Sequence, residues 1–392
     1  MTDGQLLLLI LWLVYVTDCF VWLDKHSVMM ITWWGRKWKA LTASPHFGSS
    51  SGGAVILNPI SPFGSFCLTR LLPVSISPER IFAYNSQTVA DGGRPQQTAQ
   101  AFSFSEISGV STRETELLIN GQAFCDLRDH EAAQNLARLI EQLRQAPTER
   151  RQVLIREFWA HRLDLNIVRE KIEQGMNGIV GLRFSCAVLF CILYAVIPFS
   201  AFHYGVTRLI VPGAIGMVLL AIPITFEYYS IHRRRYPLLK SDRMTHAIKM
   251  MLCPPVAIRA PDLLMAKAVS SLDSLALASV LLRGSMRKRF ITRYIRDMQH
   301  PLAPEHDAEA LTATCMWQNN AIIEAASKHI PDVELILKEL SIGPVRDSEA
   351  SKTYCPRCFV QLTVTEGTCP DCFGVPLKPF RDSVQTVTES EQ

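Results

Sequence analysis

The chain has 392 residues, 48% of them hydrophobic, and a formal net charge of +4. That mild charge sets aside a generally polybasic nucleic-acid binder, and the apolar share suits globular and membrane chains alike. Of its 11 cysteines all but four are scattered singly or lie in apolar runs, which excludes a disulfide framework and fits reduced thiols in the cytosol.

Residues 5–23 form a first apolar run containing Trp12, Asp18, Cys19 and Trp22. It lacks a basic leader and no small-x-small site follows, so the run is expected to stay as an uncleaved transmembrane anchor. Asp18, an intramembrane acid near its far end, is a candidate functional group.

Residues 24–147 read as an α+β module on the cytosolic side. Val28–Trp34, Ala54–Leu57, Val74–Ile76, Ile81–Tyr84 and the alternating Phe102 and Phe104 are strand-like, and Gln87–Gln100 is an expected mobile loop. Asn120-Gly121 between two apolar runs predicts a hairpin. A helix is expected from Asp129, with Ala132, Leu136, Leu139, Ile140 and Leu143 on one face. From Phe102 to Leu143, the Phe-Ser-Glu-Ile segment, the Leu-Leu-Ile-Asn-Gly hairpin and the closing helix resemble the end of a bacterial PH-like domain. The resemblance implies binding of a ligand or partner rather than catalysis.

Residues 148–177 predict an amphipathic connecting helix capped by Thr148. Leu154, Phe158, His161, Leu165, Val168 and Ile172 recur at heptad spacing. That seam either pairs two chains as a short coiled coil, giving a homodimer through residues 154–172, or lies on the neighbouring module.

Residues 178–201 and 206–229 are the second and third predicted spans, a helical hairpin broken at Phe202-His203-Tyr204-Gly205. A span needs about 20 apolar residues, and interior prolines such as Pro212 and Pro223 are tolerated in membranes. Arg183 is the polar residue at its entrance. Lys25, Arg36, Lys37, Lys39, Arg162, Arg169, Lys171, Arg233, Arg234 and Arg235 all flank the same side of the three runs. The chain is therefore expected in the plasma (inner) membrane with its N-terminus outside and its bulk and C-terminus cytosolic.

Residues 231–345 read as a helical cytosolic module. Leu263–Leu282 is nearly long enough to cross, but Lys267 and Asp273 argue for a buried or surface helix. Arg283, Arg287, Lys288, Arg289, Arg293 and Arg296 follow, interleaved with Phe290, Ile291, Tyr294 and Ile295. With the juxtamembrane Arg233, Arg234 and Arg235 they are candidates for contact with anionic lipid or a protein partner; nucleic acid is not expected. Two helices, from Asp307 and from Pro331, complete the module.

Residues 354–380 carry Cys355-x-x-Cys358 and Cys369-x-x-Cys372, two knuckles separated by ten residues. Four thiolates placed in pairs on tight turns suit a tetrahedral structural Zn²⁺ with no open coordination position, with iron in a rubredoxin-like site as the alternative. The stretch resembles a zinc ribbon, departing from it at Phe359, where glycine commonly follows the knuckle. Residues 381–392 are an expected disordered tail.

These readings describe a multi-domain membrane protein: three transmembrane α-helices, an α+β module, a helical module and a small zinc ribbon. The chain has no phosphate-cradling glycine loop, no H-E-x-x-H and no G-x-S-x-G. The expected role is a non-enzymatic adaptor presenting its modules to the lipid bilayer or to protein partners. A subunit of a membrane transport or assembly complex, using Asp18 and Arg183, is the alternative, followed by a membrane enzyme.

Overall fold

The computed structural model describes residues 3–21, 53–58, 65–70, 74–84, 99–127, 130–269, 272–281, 284–300, 308–372 and 375–380. The expected strand at 28–34, most of the 87–100 loop, Asp129, Arg283, Asp307 and the tail after residue 380 lie outside these residues, as does the side chain of Asp18.

In chain order, helix α1 (Asp3–Val21) precedes strands β1 (Gly53–Asn58), β2 (Ser65–Arg70), β3 (Val74–Ile76), β4 (Arg80–Tyr84), β5 (Ala99–Ser103), β6 (Val110–Arg113), β7 (Glu116–Ile119) and β8 (Gln122–Asp126). Helices α2 (His130–Gln145), α3 (Thr148–Arg162), α4 (Leu165–Met176) and α5 (Val180–Cys191) follow. A π-helical turn (Ile192–Val196) joins α5 to α6 (Ile197–Tyr204), and α7 runs from Val206 to Arg235. Then come α8 (Lys240–Leu252), a 3-10 segment (Pro254–Arg259), α9 (Ala260–Val269), α10 (Ser274–Leu281), α11 (Gly284–Gln299), α12 (Ala308–His329) and α13 (Pro331–Ile342). Three two-residue strands, β9 (Thr353–Tyr354), β10 (Gln361–Leu362) and β11 (Lys378–Pro379), close the described chain. Two compact units interleave in sequence: residues 1–43, 55–69 and 169–272 make one, and residues 44–54, 70–168 and 273–392 the other.

The first unit holds the apolar helices. Val180–Tyr204 and Val211–Arg235 are each 25 residues long and apolar enough to cross a membrane, while Asp3–Val16 is a shorter apolar helix. Leu182, Cys186, Leu189 and Leu193 recur at spacings of four and three and are buried, forming the seam against α7 and the 3-10 segment. Phe184, Phe199, Val211, Leu219 and Phe226 point outward, Phe226 with 75% of its surface free. Large apolar side chains exposed along a helix are costly in water and are the kind a lipid-facing helix presents.

The π turn has a local cause. Pro198 has no N–H to close an α-helical bond, and Ile197 N–H reaches back five residues to the Ile192 carbonyl. That shift deprives the Leu193 carbonyl of its usual donor, and Trp12 Nε1 donates to it at 3.4 Å. Helix α1 is thereby tied to the α5–α6 rod. Trp12→Phe should remove this donor and lower the stability of the protein in detergent by about 1 kcal/mol, measured as a thermal midpoint.

The second unit contains two antiparallel three-stranded sheets, β3-β4-β5 and β6-β7-β8. The Asn120-Gly121 hairpin forms as expected, both residues adopting positive φ (54° and 78°), as a two-residue turn between right-twisted strands requires. Helix α2 lies on β6 and β7, burying Leu136, Leu139, Ile140 and Leu143. Edge strand β3 is covered by α12: Gln318 Oε1 accepts from Ile76 N at 2.7 Å. An edge amide that would otherwise be free is satisfied within the chain.

Two helical expectations change. Residues 148–177 form two helices rather than one, because the chain turns at Leu163-Asp164 and the Asp164 carboxylate accepts from Asn166 N at 2.8 Å. The residues of α3 that are buried are Ile155 and Trp159, and the helix packs on α2 and α12. The run at 263–282 is likewise two short helices, with buried Asp273 accepting from Leu275 N at 2.8 Å at the start of α10. Each of these two helices is far shorter than a membrane crossing.

Candidate metal centre

The centre is built on the sheet β10-β9-β11. β9 pairs antiparallel with both neighbours, and the first knuckle leaves it directly at Cys355. Cys355 N–H donates to the Val360 carbonyl and Phe359 N–H to the Cys355 carbonyl, each at 2.9 Å, winding the chain so that Cys355 and Cys358 face one point. The second knuckle is held by Cys369 N–H to the Val375 carbonyl (2.9 Å) and Leu377 N–H to the Gly367 carbonyl (3.0 Å).

All four sulfurs lie within 4.8 Å of one another, and Cys358 Sγ is 3.6 Å from Cys369 Sγ. Tetrahedral bonds of ~2.3 Å give sulfur–sulfur edges of about 3.8 Å, so the set fits a single metal ion. Cys355, Cys369 and Cys372 are buried with Val375, and Cys358 and Leu377 pack against them. The four cysteines can therefore hold a metal ion with protein sulfur at every position.

Phe359 has φ of 66°, the left-handed region that glycine commonly fills. A Cβ there costs about 1–2 kcal/mol, and the ring is used in return. The Arg296 guanidinium lies 4.4 Å from its centroid and Tyr354 packs edge-on at 6.2 Å.

No family model matches the chain. No curated protein and no solved structure matches it either.

Helix α11 is what the knuckles dock onto. Arg357, between the first two cysteines, has only 6% of its side chain exposed. Its Nε lies 3.3 Å from Asp297 Oδ1, and its Nη1 donates to the His300 carbonyl at 2.9 Å. Asp297 is the one acid of α11. Burial pushes its carboxyl above the usual range, opposed by Arg357, Arg293 and Arg296. On the other side, Tyr354 Oη would sit 2.7 Å from any Cβ at Gly343, whose φ is 84°, so that link between α13 and β9 admits only glycine. Arg357, Asp297 and Gly343 were not among the sequence candidates. Arg357 could have been singled out only by its place inside the knuckle.

The basic residues of α11 are largely engaged within the protein. Arg287 Nε pairs with Asp332 at 2.9 Å and Lys288 with Glu339 at 2.7 Å, both on α13. Arg293 lies 3.9 Å from Asp297, and Arg289 is exposed. In the other unit, Arg233 and Arg234 are exposed, while Arg235 donates to the Gly175 and Asn177 carbonyls. Arg183 is half-buried in the first turn of α5.

His300, beside the docking point, has its pKa lowered to about 4 by burial, then by Lys378 and Arg357. A histidine that is neutral when folded but titrates near 6.5 when unfolded takes up its proton preferentially in the unfolded state between those values. Stability is thus lost as pH falls from about 6.5 towards 4, by on the order of 1 kcal/mol after solvent screening. His300→Gln should flatten that part of the pH profile, measured as denaturation midpoints from pH 7 to 5.

Proposed function

We propose that the protein is a membrane-anchored, non-enzymatic adaptor whose four-cysteine cluster binds structural Zn²⁺. The observation that carries this reading is a saturated sulfur cluster docked on α11 in a chain with two apolar helices of membrane length. Thiolate ligands at every position leave no place for water or substrate, which favours a scaffold over a reaction centre. Zinc is favoured because soft tetrahedral sulfur sets select it in a reducing compartment.

In this reading α1 is the third span, held by Trp12, and the flanking cations place the N-terminus outside and the remainder in the cytosol of the inner membrane. The two sheets and α2 serve as a PH-like binding module, supported by the order of strands then closing helix. Val360 and Val364, exposed on the ribbon, and Val345, whose carbonyl accepts from Gln361 of the ribbon, offer an apolar surface to a protein partner.

The test is affinity purification from native membranes. Cys355→Ser should lose the co-purifying partner while the chain stays in the membrane fraction. Retention of every partner by that variant would defeat the adaptor reading.

A further inference from the structure

Helix α8 carries a cation where an apolar side chain would pack. Arg243, His246 and Met250 face inward towards α7, whereas Met244, Ile248, Met251 and Leu252 are exposed. Arg243 is only 5% exposed, and neither its Nε nor its Nη1 has a hydrogen-bond partner. Its guanidinium lies 5.0 Å from the Tyr229 ring centroid. On the facing turn of α7, Tyr228 and His232 are fully buried with ring centroids 5.6 Å apart, and Tyr228 Oη lies 3.1 Å from His246 Nδ1. Neither ring nitrogen of His232 has a partner.

The neighbouring acid does not neutralise Arg243. Asp242 Oδ2 is taken by Lys267 Nζ at 2.5 Å. That ion pair leaves the buried Arg243 guanidinium without an acid of its own, beside two histidines. A buried guanidinium with unsatisfied N–H groups costs several kcal/mol, and a methionine would be tolerated better. Among the described residues His232, His246 and Asp242 do not form a metal set; only the four cysteines do. A buried guanidinium with free N–H donors calls for an anion, and Arg243 sits in the first turn of α8, where the helix dipole favours one.

Two features say where the anion comes from. The cluster lies at the end of Val211–Arg235, one of the two apolar helices of membrane length. The outer face of α8 is apolar through Met244, Ile248, Met251 and Leu252, the pattern of a helix lying in the headgroup layer. Asp242, whose side chain is 45% exposed, marks the edge where the cluster meets the surface.

We infer that the α7–α8 corner binds the phosphate of an anionic phospholipid headgroup, with Arg243 and His232 as its donors. The inference rests on the membrane reading above. The full-length protein in a neutral detergent is titrated with dioctanoyl phosphatidylglycerol, dioctanoyl phosphatidylcholine and inorganic phosphate. The anionic lipid should bind at least about tenfold tighter than the zwitterionic one, and Arg243→Met should abolish that preference. Arg243→Lys should keep part of it, and Lys249→Gln, on the same helix, should keep it within about twofold. Equal affinity for the two lipids, or a preference that survives Arg243→Met, would overturn the inference. Inorganic phosphate binding as tightly as the anionic lipid would overturn the lipid assignment. A chain released from membranes by an alkaline wash defeats the membrane reading. An inserted chain whose lipid preference ignores Arg243 defeats only this inference.

Discussion

Cys369→Ser is expected to abolish metal binding and unfold residues 353–380 while the apolar helices still insert. The reason is the size of the core. Among the described residues, Val375 and Leu377 are the apolar side chains that pack around the cysteines. Three two-residue strands cannot offset the backbone entropy of ordering this segment, at about 1–2 kcal/mol per residue. Structural zinc supplies an apparent ~10–16 kcal/mol in small zinc-binding modules, which makes metal binding and folding one event. Metal analysis of the wild-type protein should give one zinc per chain, falling to near none in the variant. Limited proteolysis should then cut within 353–380 and leave α12 and α13 resistant. A variant that stays folded there without metal would refute a metal-dependent module.

Arg357→Ala is expected to undock the knuckles from α11 without removing the metal. Arg357 and Asp297 are both largely shielded, and truncating one partner of a buried pair strands the other charge. The cost should be about 3 kcal/mol for Arg357→Ala and about 1–2 kcal/mol for Asp297→Asn, which removes the charge but keeps the shape. The double variant should fall short of the sum by at least about 1 kcal/mol, since the two share one interaction. Denaturation midpoints report these differences, and hydrogen exchange at residues 355–362 should rise while zinc content holds. Additive losses would mean that the pair is not what fastens the module.

Much of the site was legible before any coordinates, because its chemistry is local. Paired cysteines on tight turns dictate their own geometry, and Phe359 stood out as a departure where glycine commonly follows the knuckle; its left-handed φ of 66° is what the fold adds. The two long apolar runs and the Asn120-Gly121 hairpin were legible for the same reason: each is specified by a few consecutive residues. The remainder depends on partners distant in sequence. A cation stripe on α11 looks alike whether it meets solvent, lipid or the acids of α13, and only the fold brings Asp332 and Glu339 to Arg287 and Lys288. The heptad seam could not reveal that Asp164 caps a new helix, since a polar residue also fits a helix surface. Arg243 reads as an ordinary surface cation until α7 is seen packed over it.

The central claim is that apolar helices hold the chain in a bilayer with the four cysteines on the reducing side. A tandem reporter fused after Gln392, fluorescent only in the cytosol and phosphatase-active only outside it, tests both halves in intact cells. The account predicts fluorescence, no phosphatase activity and recovery of the fusion in the carbonate-washed membrane pellet. Phosphatase activity, or a fusion that remains soluble without detergent, would contradict it.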